Sequence, residues 1–521
     1  MQLQYQKLLQ RLFCACVLAW IPHEVFAQQG ASSLPALWAD QRAVVELQMA
    51  QSPASSLAAP AGESAPPSAQ AEARPYGEQP NYVLPIYEVI GFNLLLNLYD
   101  RHVYGDEYKS TLASIRRNLH SSWVVDDDPF SINQLYHPYQ GATYFGFARS
   151  TGVDYWKSLA YSIGGSAMWE IAGETTPPSR NDLINTGIGG SFLGEVLFRL
   201  ANLFLENESV PPFWREVGAA AISPSTGFNR IAFGERYKSV FDSHGPVNYS
   251  RLSVGFSGTA QNESGASTTH LKRNEALVDY AIDYGLPGKP GYTYDRPFDY
   301  FTMQATASSA NGFENLMTRG LLVGRDYGVG DAYRGIWGLY GSYDYIAPQT
   351  FRVASTGFSL GTTGQWWIAR DLALQGTLLG GAGYAAVGTV DSTVDADYNY
   401  GLAPQALANL RLIVGERVSI DVTGREWFVS RVAAARRGGH DNIARLDASV
   451  TFRVYREHGV MVKYLGNWRN ASYPDSGDLS QSRGTVGVFY VLLGHDKFGA
   501  VEWSSGTQRT PNASPGSELW K

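Results

Sequence analysis

One short run, NQLYHPYQGATYFGFARSTG (133–152), holds His137 with Asn133 and Gln140, and two carboxylates, Glu170 and Glu174, follow it. A histidine with two carboxylates can move protons in general acid–base catalysis, or supply part of a metal site. Arg180, Asn181, Asp182, Glu195 and Arg199 come next and, with Asn133 and Gln140, are candidate binding residues. If these groups converge, they suit an enzyme of lipid or glycan, with His137, Glu170 and Glu174 as the catalytic candidates.

The same residues have a structural reading. Pro138 fixes φ and suits a first helical position, which makes His137 an expected N-cap. Glu170 and Glu174, four apart, share a helical face. Glu174 with Arg180 and Glu195 with Arg199 are spaced as ion pairs, and Asn181 or Asp182 is an expected cap. Polar groups crowded among small residues must be hydrogen-bonded if buried. This reading accounts for every residue and is preferred. The cluster has one His, no His-x-x-x-His and no Cys. No metal and no cofactor are expected.

The elements that position these groups read as helices. LPIYEVIGFNLLLNLYDRH, DYWKSLAYSIGGSAMWEIAG and NDLINTGIGGSFLGEVLFRLANLFL carry apolar residues at three-to-four spacing. They are rich in Gly, Ala and Ser, which lets backbones approach closely. GGSFLGE (189–195) lacks the Lys of a phosphate loop and reads as close packing. The helical domain is expected over 83–212.

From about 213 to 503 the period becomes two. Leu446, Ala448, Val450, Phe452 and Val454 share one face, and Asp447, Ser449, Thr451 and Arg453 the other. Val418, Ile420 and Val422 oppose Ser419, Asp421, Thr423 and Arg425 in the same way. Apolar residues toward lipid and polar ones toward a lumen are the pattern of a transmembrane β-barrel, expected here with about 12 strands. KFGAVEW (497–503) looks like its final strand, followed by a polar tail, 504–521.

The ends and composition agree. Lys7 and Arg11, an apolar run from Leu12 to Ile21, and Val25-Phe26-Ala27 make a signal peptide, 1–27. Both cysteines, Cys14 and Cys16, lie inside it, so the exported chain has no disulfide. Residues 28–82 are rich in Ala, Pro, Ser and Gln and read as a disordered linker. Charged residues are only 17%, while Gly numbers 55 and Tyr 31. That is the profile of a barrel, not of an ordinary soluble domain. A net charge of −7 leaves no basic footprint, so no nucleic-acid partner is expected.

The segments Asn-Gln-x-x-His-Pro-Tyr-Gln-Gly, Trp-Glu-x-x-Gly-Glu and Asn-Asp-x-x-x-Thr with its Gly-Gly resemble the uncharacterised bacterial domain of unknown function 3943. WGLYGSYDYIAPQTFRVASTGFSLGTTGQWW is also similar to these proteins. The resemblance implies a Gram-negative envelope protein and no assigned activity. The expected architecture is therefore α+β: a small N-terminal helical domain followed by an antiparallel outer-membrane barrel. The helices are expected at or in its periplasmic mouth. The expected function is channel-like or structural, and the alternative is the enzyme of lipid or glycan. Expected partners are outer-membrane lipid, barrel-assembly machinery during biogenesis and a small-molecule substrate of unspecified kind.

Overall fold

The computed structural model describes residues 76–502, except 78, 127, 264–272, 390–397, 431–438 and 475–476. The expected signal peptide, nearly all of the linker, Trp503 and the polar tail lie outside the described residues.

Twelve antiparallel strands close into a barrel in sequence order, with β1 pairing β12. They are β1 (Asn248–Glu263), β2 (Asn274–Tyr284), β3 (Phe301–Ser308), β4 (Asn315–Val329), β5 (Tyr333–Ile346) and β6 (Phe351–Ala369). The second half comprises β7 (Leu372–Thr389), β8 (Tyr398–Val414), β9 (Val418–Ser430), β10 (His440–Tyr455), β11 (His458–Tyr473) and β12 (Gly477–Leu493). Closure removes the sheet edges, and so every ladder group finds a partner without water. One rim has short turns at 330–332, 370–371, 415–417 and 456–457, and β1 begins and β12 ends there. The opposite rim has mostly longer loops. Short turns mark the periplasmic side of such barrels, longer loops the outer side.

Alternation assigns the two faces. Val254, Phe256, Phe452, Val454, Val460, Val462, Val486 and Val488 are exposed on the outer wall. Their neighbours in the strands face inward and pair across the lumen: Lys463 with Asp279 and Asp447, Arg411 with Asp283 and Asp421, and Asp344 with Arg319 and Arg425. The faces read from 418–425 and 446–454 are those observed.

The strands start at Asn248, not 213, because helices continue further. The helices are α1 (Leu84–Val103), α2 (Leu112–Asn118), α3 (His137–Ser150), α4 (Tyr155–Met168), α5 (Gly190–Glu206), α6 (Pro212–Ile222) and α7 (Pro224–Phe233). Pro212 and Pro224 sit at the first positions of α6 and α7, where a missing N–H costs nothing. Segments of wide π-type turn run over Ile132–Tyr136, Trp169–Gly173 and Leu183–Gly189. The last makes Arg180–Glu206 one 27-residue helical run with α5.

The helices do not sit at the mouth or in the lumen. They lie on the outer wall. Tyr343 and Tyr345 flank inward-facing Asp344, so both point out of the barrel, and both are buried in one cluster with Phe192, Phe145 and Phe130. Tyr280, Ile282 and Tyr284 of β2, Ala354 of β6, Ala386 of β7 and Tyr400 of β8 complete that cluster from the same outer face. The lumen is already filled by its own charged and aromatic side chains. An apolar helix buries more surface against the aromatic outer wall than it would among those ion pairs.

Glycines set the close approach. A Cβ on Gly141 would come 1.7 Å from the Thr186 carbonyl oxygen, and one on Gly190 would meet the Gly141 backbone at 2.7 Å. This bears out the packing reading of GGSFLGE. On the barrel side, a Cβ on Gly341 would enter the Phe192 ring at 2.5 Å. Gly341→Val is expected to loosen the helical layer by about 1–3 kcal/mol. The check is protease cleavage in α3–α5, which should speed up while the barrel keeps its heat-modifiable gel mobility.

Candidate functional site

The sequence cluster comprises a polar seam, a buried set inside the helices that adjoins it through Ser179, and a separate ion knot. The first is a polar seam at the outer rim. Asn133 donates to Asp126 at 2.6 Å and to the Tyr398 hydroxyl at 2.8 Å, and Gln134 donates to Tyr400 at 2.6 Å. Asn181 donates to Tyr400 and to Asp182, each at 3.0 Å. The Tyr343 hydroxyl donates to the Gln134 carbonyl, and Tyr398 to that of Asp128 at 2.7 Å. The wide turn at Ile132–Tyr136 lets consecutive Asn133 and Gln134 both reach the barrel. Asp126 is a member of this seam, its amide donating to the Asn181 side-chain oxygen at 3.0 Å. Asp127 lies outside the described residues.

The second part is internal to the helices. His137 does not cap a helix: its backbone is helical and continues the preceding turn. Its Nδ1 faces the Gln140 side-chain carbonyl at 3.1 Å; Gln140 donates to Tyr144 at 2.6 Å, and Tyr144 to Asn93. Glu170 lies in the turn Trp169–Gly173 and accepts from the Ser179 amide at 2.8 Å. Glu174 is past the helix end in extended backbone, so the two carboxylates do not share a helical face. Glu174 accepts from the Trp169 indole at 2.8 Å and from Thr176 at 3.1 Å, not from the expected Arg180. Ser179, not Asn181 or Asp182, is the cap, accepting from the Asp182 amide at 3.3 Å. The histidine is bonded to an amide, and the carboxylates to an indole and a backbone N–H, contacts that hold the helices together.

Burial, then the nearby Asp128 and Asp126, push the Glu174 carboxyl up to about 8. An acid raised in the folded state is held protonated there while the unfolded chain has lost its proton. The stability it brings is full at low pH and falls as pH rises from its ordinary range through 8. The protection factors of amides in 169–182, exchange being corrected for its intrinsic base catalysis, are expected to fall several-fold between pH 6 and 9, and Glu174→Gln is expected to flatten that fall.

The third part is an ion knot near the periplasmic rim. Glu195 accepts from Arg149 at 2.7 Å and from Arg199 at 2.8 Å, and Arg199 reaches Asp299 of the 285–300 connection at 3.0 Å. The Glu195–Arg199 pair is as expected. Arg149 and Asp299, remote in sequence, gave no spacing signal.

The lumen is a separate chamber, which the sequence cluster did not point to. A cavity of about 120 Å³ is lined by Arg251, Arg319, Arg411, Arg425 and Arg445 against Asp283, Asp421 and Asp447. Arg251 is buried with no hydrogen bond at Nε or Nη1, and Asp421 stands 3.9 Å from it. Toward the outer rim, Met317, Phe351, Trp427 and Ile443 form an apolar cluster inside the barrel. At the periplasmic rim, residues 494–502 fold back into the mouth. KFGAVEW is thus not the last strand: the β1–β12 ladder ends with Arg251 opposite Leu493, and Phe498 and Gly499 then turn at positive φ. Gln365 donates to Val501 O at 2.5 Å and accepts from Val501 N at 2.9 Å, and Gln375 donates to Gly499 O at 2.7 Å.

Twelve antiparallel strands, apolar outside and charged within, make this an outer-membrane β-barrel. No curated protein matches the chain. Among solved structures it is similar to the NanC porin at 8% identity, covering 46% of this chain and 98% of that one with a TM-score of 0.23. It is also similar to the outer membrane channel DcaP of Acinetobacter baumannii at 6% identity, covering 47% and 96% with a TM-score of 0.22. The COG4313 outer membrane channel from Pseudomonas putida F1 is similar at 8% identity, covering 48% and 96% with a TM-score of 0.22. Residues 122–225, which run from the polar seam through the ion knot into α7, match the model of a family of uncharacterised proteins, the domain of unknown function DUF3943.

Proposed function

We propose that the protein is a channel for small anionic solutes, exported by a cleaved signal peptide, inserted by the barrel-assembly machinery and closed at rest. One observation carries this: a polar chamber inside the barrel with five arginines against three aspartates, stopped at the periplasmic rim by a segment outside the sheet. A wall needed only as a scaffold gains little from burying so many charges, since apolar side chains of the same volume fill a lumen at lower cost. Asp344 pairs with Arg319 and Arg425, and Arg251, only distantly paired, is the arginine that favours a carboxylate or phosphate over a cation. The polar seam and the ion knot fasten the helices to the barrel.

The test is current through planar bilayers in a salt gradient. Discrete steps whose reversal potential reports anion preference are expected, and Arg251→Ser with Arg411→Ser should shift that potential toward cations. Steps that are cation-selective in the unaltered protein would overturn the anion reading.

A further inference from the structure

The helical layer packs on part of the outer wall of β2 to β8 and presents a surface of its own. On α1 that surface is apolar from Ile86 to Tyr99: Ile86, Tyr87, Ile90, Leu94, Leu95 and Leu98 are exposed. The one charged residue of α1 before Asp100 is Glu88, which is buried. On α4 the exposed large side chains are Trp156 and Ile163. Exposed charges gather at the two ends instead. Asp106 and Lys109 follow α1 near the outer rim, and Asp154 and Lys157 start α4 near the periplasmic rim. At 1.5 Å per residue, the 20 residues of α1 span about 30 Å, the thickness of bilayer hydrocarbon.

We propose that the helical region is itself embedded in the membrane, and that its partner is lipid hydrocarbon on the outer faces of α1 and α4. Continuity argues for this occupant. Where the layer ends, the barrel presents its own lipid face at Val254, Phe256 and Val488, so one apolar belt runs around barrel and helices together. Water at the α1 face would leave an exposed apolar stripe that soluble proteins do not carry. Inside the layer Arg149, Glu195 and Arg199 turn inward and pair, and Asp299 joins them from the 285–300 connection. Arg149, Glu195, Arg199 and Asp299 are each at most 4% exposed.

The experiment places single cysteines in a chain carrying Cys14→Ser and Cys16→Ser, spin-labels them, and reconstitutes each in phosphatidylcholine–phosphatidylglycerol vesicles. Labels at Leu95, Leu98 and Ile163 are expected to be open to oxygen and closed to a water-soluble nickel chelate, matching a label at Val488. Labels at Lys109 and Lys157 are expected to meet the nickel reagent. Nickel access at 95, 98 and 163 would overturn the proposal by putting the layer in water. Shielding from both reagents would overturn it in favour of a covering protein or second copy. Neither result bears on whether the lumen conducts.

Discussion

Glu195→Ala is expected to release the helical layer from the barrel, at a cost of about 3–5 kcal/mol. The carboxylate is fully buried and is the shared acceptor of Arg149 and Arg199, themselves 4% and 1% exposed. Without it, Arg149 keeps the Val153 carbonyl and the Tyr76 hydroxyl but no counter-charge, and Arg199 keeps Asp299 and the Pro297 carbonyl. An uncompensated charge in an apolar layer costs more than the pair gained, so truncating one partner is worse than replacing the set. Glu195→Gln, which keeps an acceptor oxygen, should cost less, and pairing Glu195→Ala with Arg149→Met should restore part of the loss. Limited proteolysis is the measurement. Cleavage between α3 and α5 should rise strongly in Glu195→Ala while the barrel band remains heat-modifiable. Unchanged protection of α3–α5 would mean that the seam and the aromatic contacts hold the layer alone.

Part of this architecture was legible in the sequence. Strands such as 446–454 alternate over their whole length, and one slip in register would turn Asp447 and Arg453 to lipid, so the pattern fixes both faces. The seat of the helices was not legible, for a physical reason. A wall that faces lipid and a wall that faces an apolar helix ask for the same residues. Tyr343, Tyr345 and Tyr400 satisfy both. A signal did exist: tyrosines crowd the outer-rim ends of β5 and β8, in GSYDYI and YNYG, where each hydroxyl needs a polar partner. Asn133, Gln134 and Asn181 supply those partners, from 200 or more residues away in sequence. Local spacing found the Glu195–Arg199 pair because it lies within one helix turn. It failed for Glu174, whose helix ends one residue earlier. KFGAVEW looks like a strand in sequence, but Phe498, Gly499, Ala500 and Val501 are all buried in the mouth and the backbone turns at Phe498 and Gly499.

The second large effect is at that mouth. Gln365→Ala with Gln375→Ala is expected to open the periplasmic end by freeing residues 494–502. The double variant removes three hydrogen bonds to the segment, from Gln365 to both backbone groups of Val501 and from Gln375 to Gly499, besides the bonds Gln375 makes with Gln365 and Arg411. At about 1 kcal/mol each, their loss shifts the open-to-closed ratio by roughly a hundredfold. The Trp367 indole still donates to Val501 O at 2.9 Å, and Phe498 stays packed against Tyr249 with Arg453 over its ring, so the segment should exchange rather than leave for good. Phe498→Ala removes that anchor by a different route and should act in the same direction. The barrel itself should be indifferent, because the last backbone bond to β1 is that of Gly494 to Ser250, before the segment turns at Phe498. A cysteine at Ala500, buried in the unaltered chain, reports release through its labelling rate. Faster labelling with larger or more frequent current steps in both variants fits a gated passage. Faster labelling without any current would sink the channel reading, because the segment would then be a stopper on a lumen that conducts nothing.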